Sequence, residues 1–522
     1  MTTSTKSLAI RGVFFNYLGR GCSIFITFFL TPFLITKLGD ERYGLWSIVM
    51  ALTGYYALAD LGMRASGTKH IAASHARNNP EKVNQIVVTA LVMYAAIAAV
   101  LLVVIGIVAW LFPTVFDIPG ERTGAMQLVV LLTGLNFAVS LVGQPFGSVL
   151  AALARFDISN MIGAASQILA AVCMVLVLTA DHGLVGMAVV TLCVGVCTQL
   201  SLMLCILRLL PSLSLSTIHF SRSELRELFS FSVGIVTING LRRITQFTSP
   251  IIIGVMIGPA SVAIYSIAES IIGKSSGLTK GLSTVVMPIT SRLDASGNRI
   301  AILQMSIQVN RLMQSASLFM MVVFTVMGER LIDLWIEPGY GHRVYPVLML
   351  LGAANVVTMI SGGLPSTLIG MNQLRSLRIV YAVDAVLSLS FGIAFAYMYG
   401  IVGMAAAFLL ARLVTHAVLL PLVAARQFER PIIEMVLRSN LPAIASAVPA
   451  GLLCIALEYN LPATSLWVLV GQVGCVGLVA ALSAFFVCVP HSERSGLLVR
   501  LKLTRSRVAP LPDAKPEPST VA

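Results

Sequence analysis

Nine ionisable residues sit inside or at the margins of long apolar runs: Arg20, Asp60, Arg242, Arg243, Glu269, Lys274, Lys280, Asp384 and Arg412. Facing lipid at a bilayer centre, each would cost about 2.5–3.5 kcal/mol on insertion scales, on the order of 20 kcal/mol together. Most must therefore face one another or a wet cavity. Six are basic and three acidic, so a cavity lined by them is net positive and suits an anion. The planar fork of arginine matches phosphate geometry, which makes Arg20, Arg242 and Arg243 the expected substrate-facing residues. Glu269 and Lys280 are eleven residues apart and fall on one helix face, whereas Lys274 is rotated away toward a different neighbour. Asp60, Glu269, Asp384 and Arg412 read either as ion-coupling groups or as members of structural ion pairs. Asp60 and Lys280 lie close enough to helix ends for their side chains to reach the interface instead.

The elements that carry these charges are set by composition. The chain has 522 residues, 57% hydrophobic and 11% charged, with a mean hydropathy of +0.90. Soluble domains carry about 25% charged residues, so a soluble enzyme is excluded. The net charge of +13 is spread through a greasy chain, which fits a membrane with asymmetric loops better than a face for nucleic acid. All eight cysteines lie in apolar stretches without a CxxC pair and read as small core residues. There is no GxxxxGK[ST], no HExxH and no large extramembrane region for catalytic carboxylates. No cofactor, no metal and no enzymatic activity are expected.

Bilayer spans need about 20 mostly apolar residues, and fourteen stretches qualify: 12–36, 44–61, 86–112, 124–154, 158–180, 183–210, 229–257, 261–290, 307–328, 345–370, 376–399, 401–425, 438–458 and 463–489. The fold class expected is an all-α integral membrane protein of about fourteen transmembrane helices. Segment 1–11 is too polar and too short for a cleavable signal, so the first span is expected to stay as an anchor. The termini, the even-numbered connections and their margins hold 24 Lys and Arg, whereas the odd-numbered connections hold 5 beside nine acids. Positive charge collects on the cytoplasmic side, which places both termini there. The tail from His491 has a basic part, able to touch anionic lipid, and then a Pro-rich part without the apolar content to fold.

The sequence repeats itself. HGLVGMA from His182 returns as YGIVGMA from Tyr399, an offset of 217. Thr31-Pro32 matches Ser249-Pro250 at 218, and LGDERYGLWSI ending at Ile48 matches IGPASVAIYSI ending at Ile267 at 219. Pro145 with Arg155 matches Pro365 with Arg375 at 220. An offset of six spans preserves direction, so 1–215 and 216–430 are expected as parallel six-helix halves, followed by two extra spans in 431–490 and the tail 491–522. Transporters built from such halves place substrate between them. Pro32, Pro145, Pro250, Pro288 and Pro365 are expected to interrupt their spans.

NYLGR from Asn16, TPFLITKLGDERYGLW from Thr31 and ADLGMRASGTKHIA from Ala59 resemble the polysaccharide transporter family of the multidrug/oligosaccharidyl-lipid/polysaccharide exporter superfamily. The resemblance runs along essentially the whole chain, because the paired halves and the extra C-terminal pair also agree. It implies a Wzx-type flippase that moves an undecaprenyl-pyrophosphate-linked oligosaccharide across a bacterial inner membrane by rocking of the halves. Under that resemblance Asn16, Asn136, Gln144 and Asn239 would join the arginines in meeting sugar hydroxyls and diphosphate. Partners implied are the lipid-linked substrate, membrane lipids, and a polysaccharide polymerase and other assembly proteins, with no nucleic acid. Two other readings stand beside it. A cation-drug antiporter of the same superfamily would need unpaired carboxylates and few cations, and a non-transporting scaffold would leave the intramembrane charges structural.

Overall fold

Lipid offers a backbone amide no water, so a chain this apolar must satisfy its main chain within helices. The computed structural model describes residues 3–60, 63–214, 216–490 and 494, with side chains at all of these except 3–18, 20, 65, 217, 226–236, 278, 280, 282, 284 and 285. The basic and Pro-rich tail lies outside the described residues, apart from Arg494. Among the described residues there is no strand.

The first two apolar runs share one helix, α1 (Thr3–Tyr56), which kinks at Gly39, where φ is 73° and ψ is 170°. After a 3₁₀ turn (Ala57–Asp60) come the short polar α2 (Met63–Ala76) and the apolar α3 (Pro80–Val115). The fourth run divides into α4 (Gly120–Val142) and α5 (Gln144–Ala152), followed by α6 (Phe156–Thr179) and α7 (Gly183–Leu209). The second series is α8 (Arg222–Met256), α9 (Pro259–Ala295), α10 (Arg299–Trp335), the divided pair α11 (Tyr340–Met359) and α12 (Leu364–Gly370), and α13 (Leu374–Arg412). A π-helical turn (Leu413–Leu419) joins α13 to α14 (Leu420–Phe428). Finally α15 (Ile432–Asn460) and α16 (Leu466–Cys488) pack on α10.

The backbone turns left-handed at matching places. Left-handed φ values occur at Gly39 and Gly258, Asn78 and Gly297, Ala154 and Asn372, and Gly183 and Gly400, pairs that are 217–219 residues apart. Gly39 and Gly400 stand inside what would otherwise be continuous helix, and a Cβ would strain both turns. The residues that follow the second pair also act alike: Asn79 caps Lys82 N at 2.9 Å and Asn298 caps Ala301 N at 3.1 Å. Pro145 and Pro365 occupy the first turns of α5 and α12, where a missing N–H is harmless. The expectation that every proline would interrupt its span is corrected at Pro32, Pro250 and Pro288. These lie within α1, α8 and α9, which continue through them.

Ten helical stretches among the described residues are long and apolar enough to cross a membrane. Two of them, Gly21–Asp60 and Leu374–Phe428, contain the left-handed glycines Gly39 and Gly400. The charged helices α8 and α9 are not among the ten. Trp110, Tyr397, Tyr459 and Trp467 are each more than two-thirds exposed, and all stand beside odd-numbered connections. An amphipathic aromatic ring at that level suits a membrane interface.

One large apolar core joins the two series toward the odd-numbered connections, with Ile48, Val49, Phe112 and Met187 packed with Val262, Ile264, Trp335 and Val344. There the Asp40 carboxylate accepts from the Tyr340 hydroxyl and from Arg343 Nη2, the latter at 2.7 Å. Trp335 Nε1 donates to the Phe28 carbonyl at 2.7 Å. On the opposite face Lys82 pairs with the buried Glu224, and Ser221 N donates to Thr89 Oγ1 at 3.0 Å.

Candidate functional site

The middle of α8 is polar on one side. Asn239, Arg242 and Gln246, spaced three and four apart, are exposed, and the buried Ile238, Thr245 and Ser249 form the strip of the helix beside them. Ile238 packs with Leu377, Val380 and Tyr381 of α13, which fixes the rotation of α8. The same packing brings the Arg242 guanidinium over the Tyr381 ring, 5.7 Å from its centroid. Arg242 has no carboxylate partner and no hydrogen-bond acceptor among the described residues.

Its sequence neighbour behaves differently. Arg243 Nη1 donates to the Gly54 carbonyl of α1 at 3.4 Å, tying the two helical series together. Gly54 makes that approach feasible, because a β-carbon there would lie 2.5 Å from the Phe247 ring. Tyr55 seals the same crossing, its hydroxyl meeting Thr248 and the Ile244 carbonyl.

The repeat spacings pair Phe247 with Phe29 and Gly54 with Gly273. The second seam differs: among the described residues a β-carbon on Gly273 would meet nothing within 4 Å, and Phe29 is 43% exposed. Phe29 instead leans toward Trp467 of α16, ring centroids 6.3 Å apart.

Asp384 and Arg412 form a buried ion pair on α13 at 2.7 Å, with Asp384 only 1% exposed. Thr415 Oγ1 donates to the other carboxylate oxygen at 2.9 Å. His416 lies 3.2 Å from Arg412 Nη1 and, through its other ring nitrogen, 3.2 Å from Ser361 Oγ. Both Thr415 and His416 belong to the π-helical turn, whose wider winding brings their side chains to this pair.

The remaining expected residues are dispersed. Asp60 accepts from Tyr94 of α3 at 2.7 Å. Glu269 and Lys274 lie half-buried on α9 without an ion-pair partner among the described residues. Gln144 opens α5, and Asn136 stands against Gly195 of α7, where its Oδ1 lacks a hydrogen-bond partner. The side chains of Asn16, Arg20 and Lys280 lie outside the described residues, so the expected meeting of Arg20 with the α8 arginines falls outside them too. No group of three His, Cys, Asp or Glu is placed to hold a metal among the described residues. An apolar hollow of about 370 Å³ is lined by Ala59, Ala96, Ile97, Val100, Leu101 and Val104 and by none of these charges.

Sequence reasoning missed Tyr381, Thr415, His416 and the Asp40–Arg343 pair. Tyr381 reads as one more core aromatic, and nothing in its spacing names Arg242 as its neighbour.

Residues 9–294 match the polysaccharide biosynthesis protein family. A Shigella flexneri protein described as a candidate O-antigen transporter is 23% identical over 295 residues, covering 54% of this chain and 67% of that one. Among solved structures, a lipid II flippase, MurJ, in an inward closed conformation superposes with a TM-score of 0.70 at 13% identity, covering 91% of this chain and 98% of the other. An inward-facing multidrug resistance MATE transporter superposes with a TM-score of 0.66 at 14% identity, covering 77% and 94%. The relatives and structural neighbours are transporters and flippases rather than enzymes. A multi-pass helical membrane protein with this fold and a family match over more than half its length belongs to the polysaccharide biosynthesis protein family.

Proposed function

We propose that the chain is a flippase that carries a diphosphate-linked, lipid-borne oligosaccharide from the cytoplasmic to the outer face of a bacterial inner membrane. The observation that carries this reading is Arg242, an exposed guanidinium deep in α8 with no carboxylate beside it among the described residues. A cation-drug site would pair such a charge or replace it with acids. A phosphate needs it free, because an arginine already in a salt bridge has spent its donors.

The rest of the architecture fits. Fourteen crossings follow when the two bent stretches count twice and the charged α8 and α9 join the other spans. Both termini then lie in the cytoplasm, and 1–215 and 216–430 act as parallel halves with 431–490 appended. Alternating access separates the halves on one face at a time. Arg20, Arg243, Lys274 and Lys280 add positive charge along the route, and Asn16, Asn239 and Gln144 offer amides to sugar hydroxyls. The seam at Phe29 and Gly273 gives the lipid tail a place to remain in the membrane while the headgroup passes. A polymerase acting on the outer face is the partner this activity requires.

The test is Arg242→Ala in a strain lacking the native protein. Loss of surface polysaccharide with accumulation of lipid-linked precursor, at undiminished protein level, is the result expected. Normal surface polysaccharide would remove the reading.

A further inference from the structure

Three arginines with described side chains lie at membrane depth, and each is held differently. Arg412 is locked by Asp384 at 2.7 Å. Arg243 is tethered to the Gly54 carbonyl at 3.4 Å. Among the described residues Arg242 rests against an aromatic face alone. A guanidinium attracted to a ring is held through the charge above the π-cloud and can keep its N–H donors for other acceptors. A carboxylate partner would occupy those donors directly.

Tyr381 is well suited to that task because it cannot move. It is 5% exposed and wedged among Ile238, Leu377, Val380 and Leu420. One turn further along α13, on the same side, stands Asp384. A free carboxylate there would compete for Arg242. Arg412 and Thr415 fill both of its oxygens instead.

We infer that Tyr381 is a positioning residue that presents the Arg242 guanidinium to the anionic group of the substrate, and that the Arg412–Asp384 pair keeps this guanidinium free by occupying the neighbouring carboxylate. The inference rests on the diphosphate reading above and assigns the residues that make Arg242 competent for it. Neither Tyr381 nor Asp384 touches substrate. They act on Arg242 from behind, one by attraction and the other by being already engaged.

The experiment measures binding of farnesyl diphosphate to the full chain in lipid nanodiscs. Tyr381→Leu is expected to weaken binding about five-fold, the equivalent of about 1 kcal/mol for a lost cation–π contact. Tyr381→Phe, which keeps the ring, is expected to stay within about two-fold of the parent. In an Arg242→Ala background Tyr381→Leu should have no further effect, which a general packing defect would not reproduce. Arg412→Gln should weaken binding, and Asp384→Asn added to it should restore binding because no carboxylate then competes. Unchanged binding in Tyr381→Leu, or an equal loss in the Arg242→Ala background, overturns the role of Tyr381. Failure of the Asp384→Asn/Arg412→Gln chain to bind overturns the role of the pair. If Arg242→Ala itself binds as tightly as the parent, the diphosphate reading fails, a distinct result.

Discussion

Asp40 joins the two helical series at the face of the odd-numbered connections, and removing its carboxylate should loosen that face by a calculable amount. It accepts from the Tyr340 hydroxyl and from Arg343 Nη2. A hydrogen bond to a charged group contributes about 1.5–3 kcal/mol. The Arg343 side chain is 46% exposed, so its ion pair is screened and adds only about 0.5 kcal/mol. Asp40→Ala therefore removes about 2 kcal/mol or slightly more from the state in which this face is closed. These contacts span the two series, so a state with this face open lacks them, and the loss shifts the balance by the same amount. At about 1.4 kcal/mol per ten-fold, 2 kcal/mol is roughly a 30-fold rise in the open population. Val262 is fully buried in the core beneath the pair, so a cysteine there, in a chain otherwise free of cysteine, reports opening by its rate of labelling with a membrane-impermeant maleimide. Labelling should accelerate roughly 30-fold in Asp40→Ala and less in Arg343→Gln, following the two contributions. An unchanged rate in Asp40→Ala would show that the face is held by its apolar core alone.

Three further outcomes follow from the packing. Gly54→Val places atoms against the Phe247 ring, since a β-carbon alone would lie 2.5 Å from it. This should cost about 1–3 kcal/mol in thermal unfolding, and Phe247→Ala should recover part of it. Arg412→Met leaves the 1% exposed Asp384 without its counter-charge and should destabilise by about 3–5 kcal/mol, whereas Asp384→Asn with Arg412→Met should melt near the parent. Cysteines at Gly54 and Phe247 should form a disulfide readily, while cysteines at Gly273 and Phe29 should do so slowly. Equal rates would mean that both seams are closed alike.

Much of the architecture was legible because its causes are local or periodic. Runs of apolar residues must become helices in lipid. Left-handed residues recur in the backbone 217–219 apart, from Gly39 and Gly258 to Gly183 and Gly400, close to the spacing of the short matching strings. Proline was a poorer guide. Pro145 and Pro365 stand at helix starts beside the breaks near Gly143 and Gly363, but Pro32, Pro250 and Pro288 sit in helices that absorb them. A missing N–H costs little where the surrounding helix geometry can adjust.

By itself the sequence determined that the charges set among its apolar runs are mostly basic, and that Arg242 and Arg243 are adjacent. Only tertiary structure separated those two neighbours. Successive residues on a helix point about 100° apart, so Arg243 turns to a carbonyl 189 residues away on α1 while Arg242 meets a ring on α13. Whether Asp384 would bind an ion or an arginine was equally undecided until Arg412, 28 residues on, folded back beside it. The cost of burying a charge compels it to find a partner, but which partner depends on helix rotation and packing between distant segments, and no local spacing carries that information.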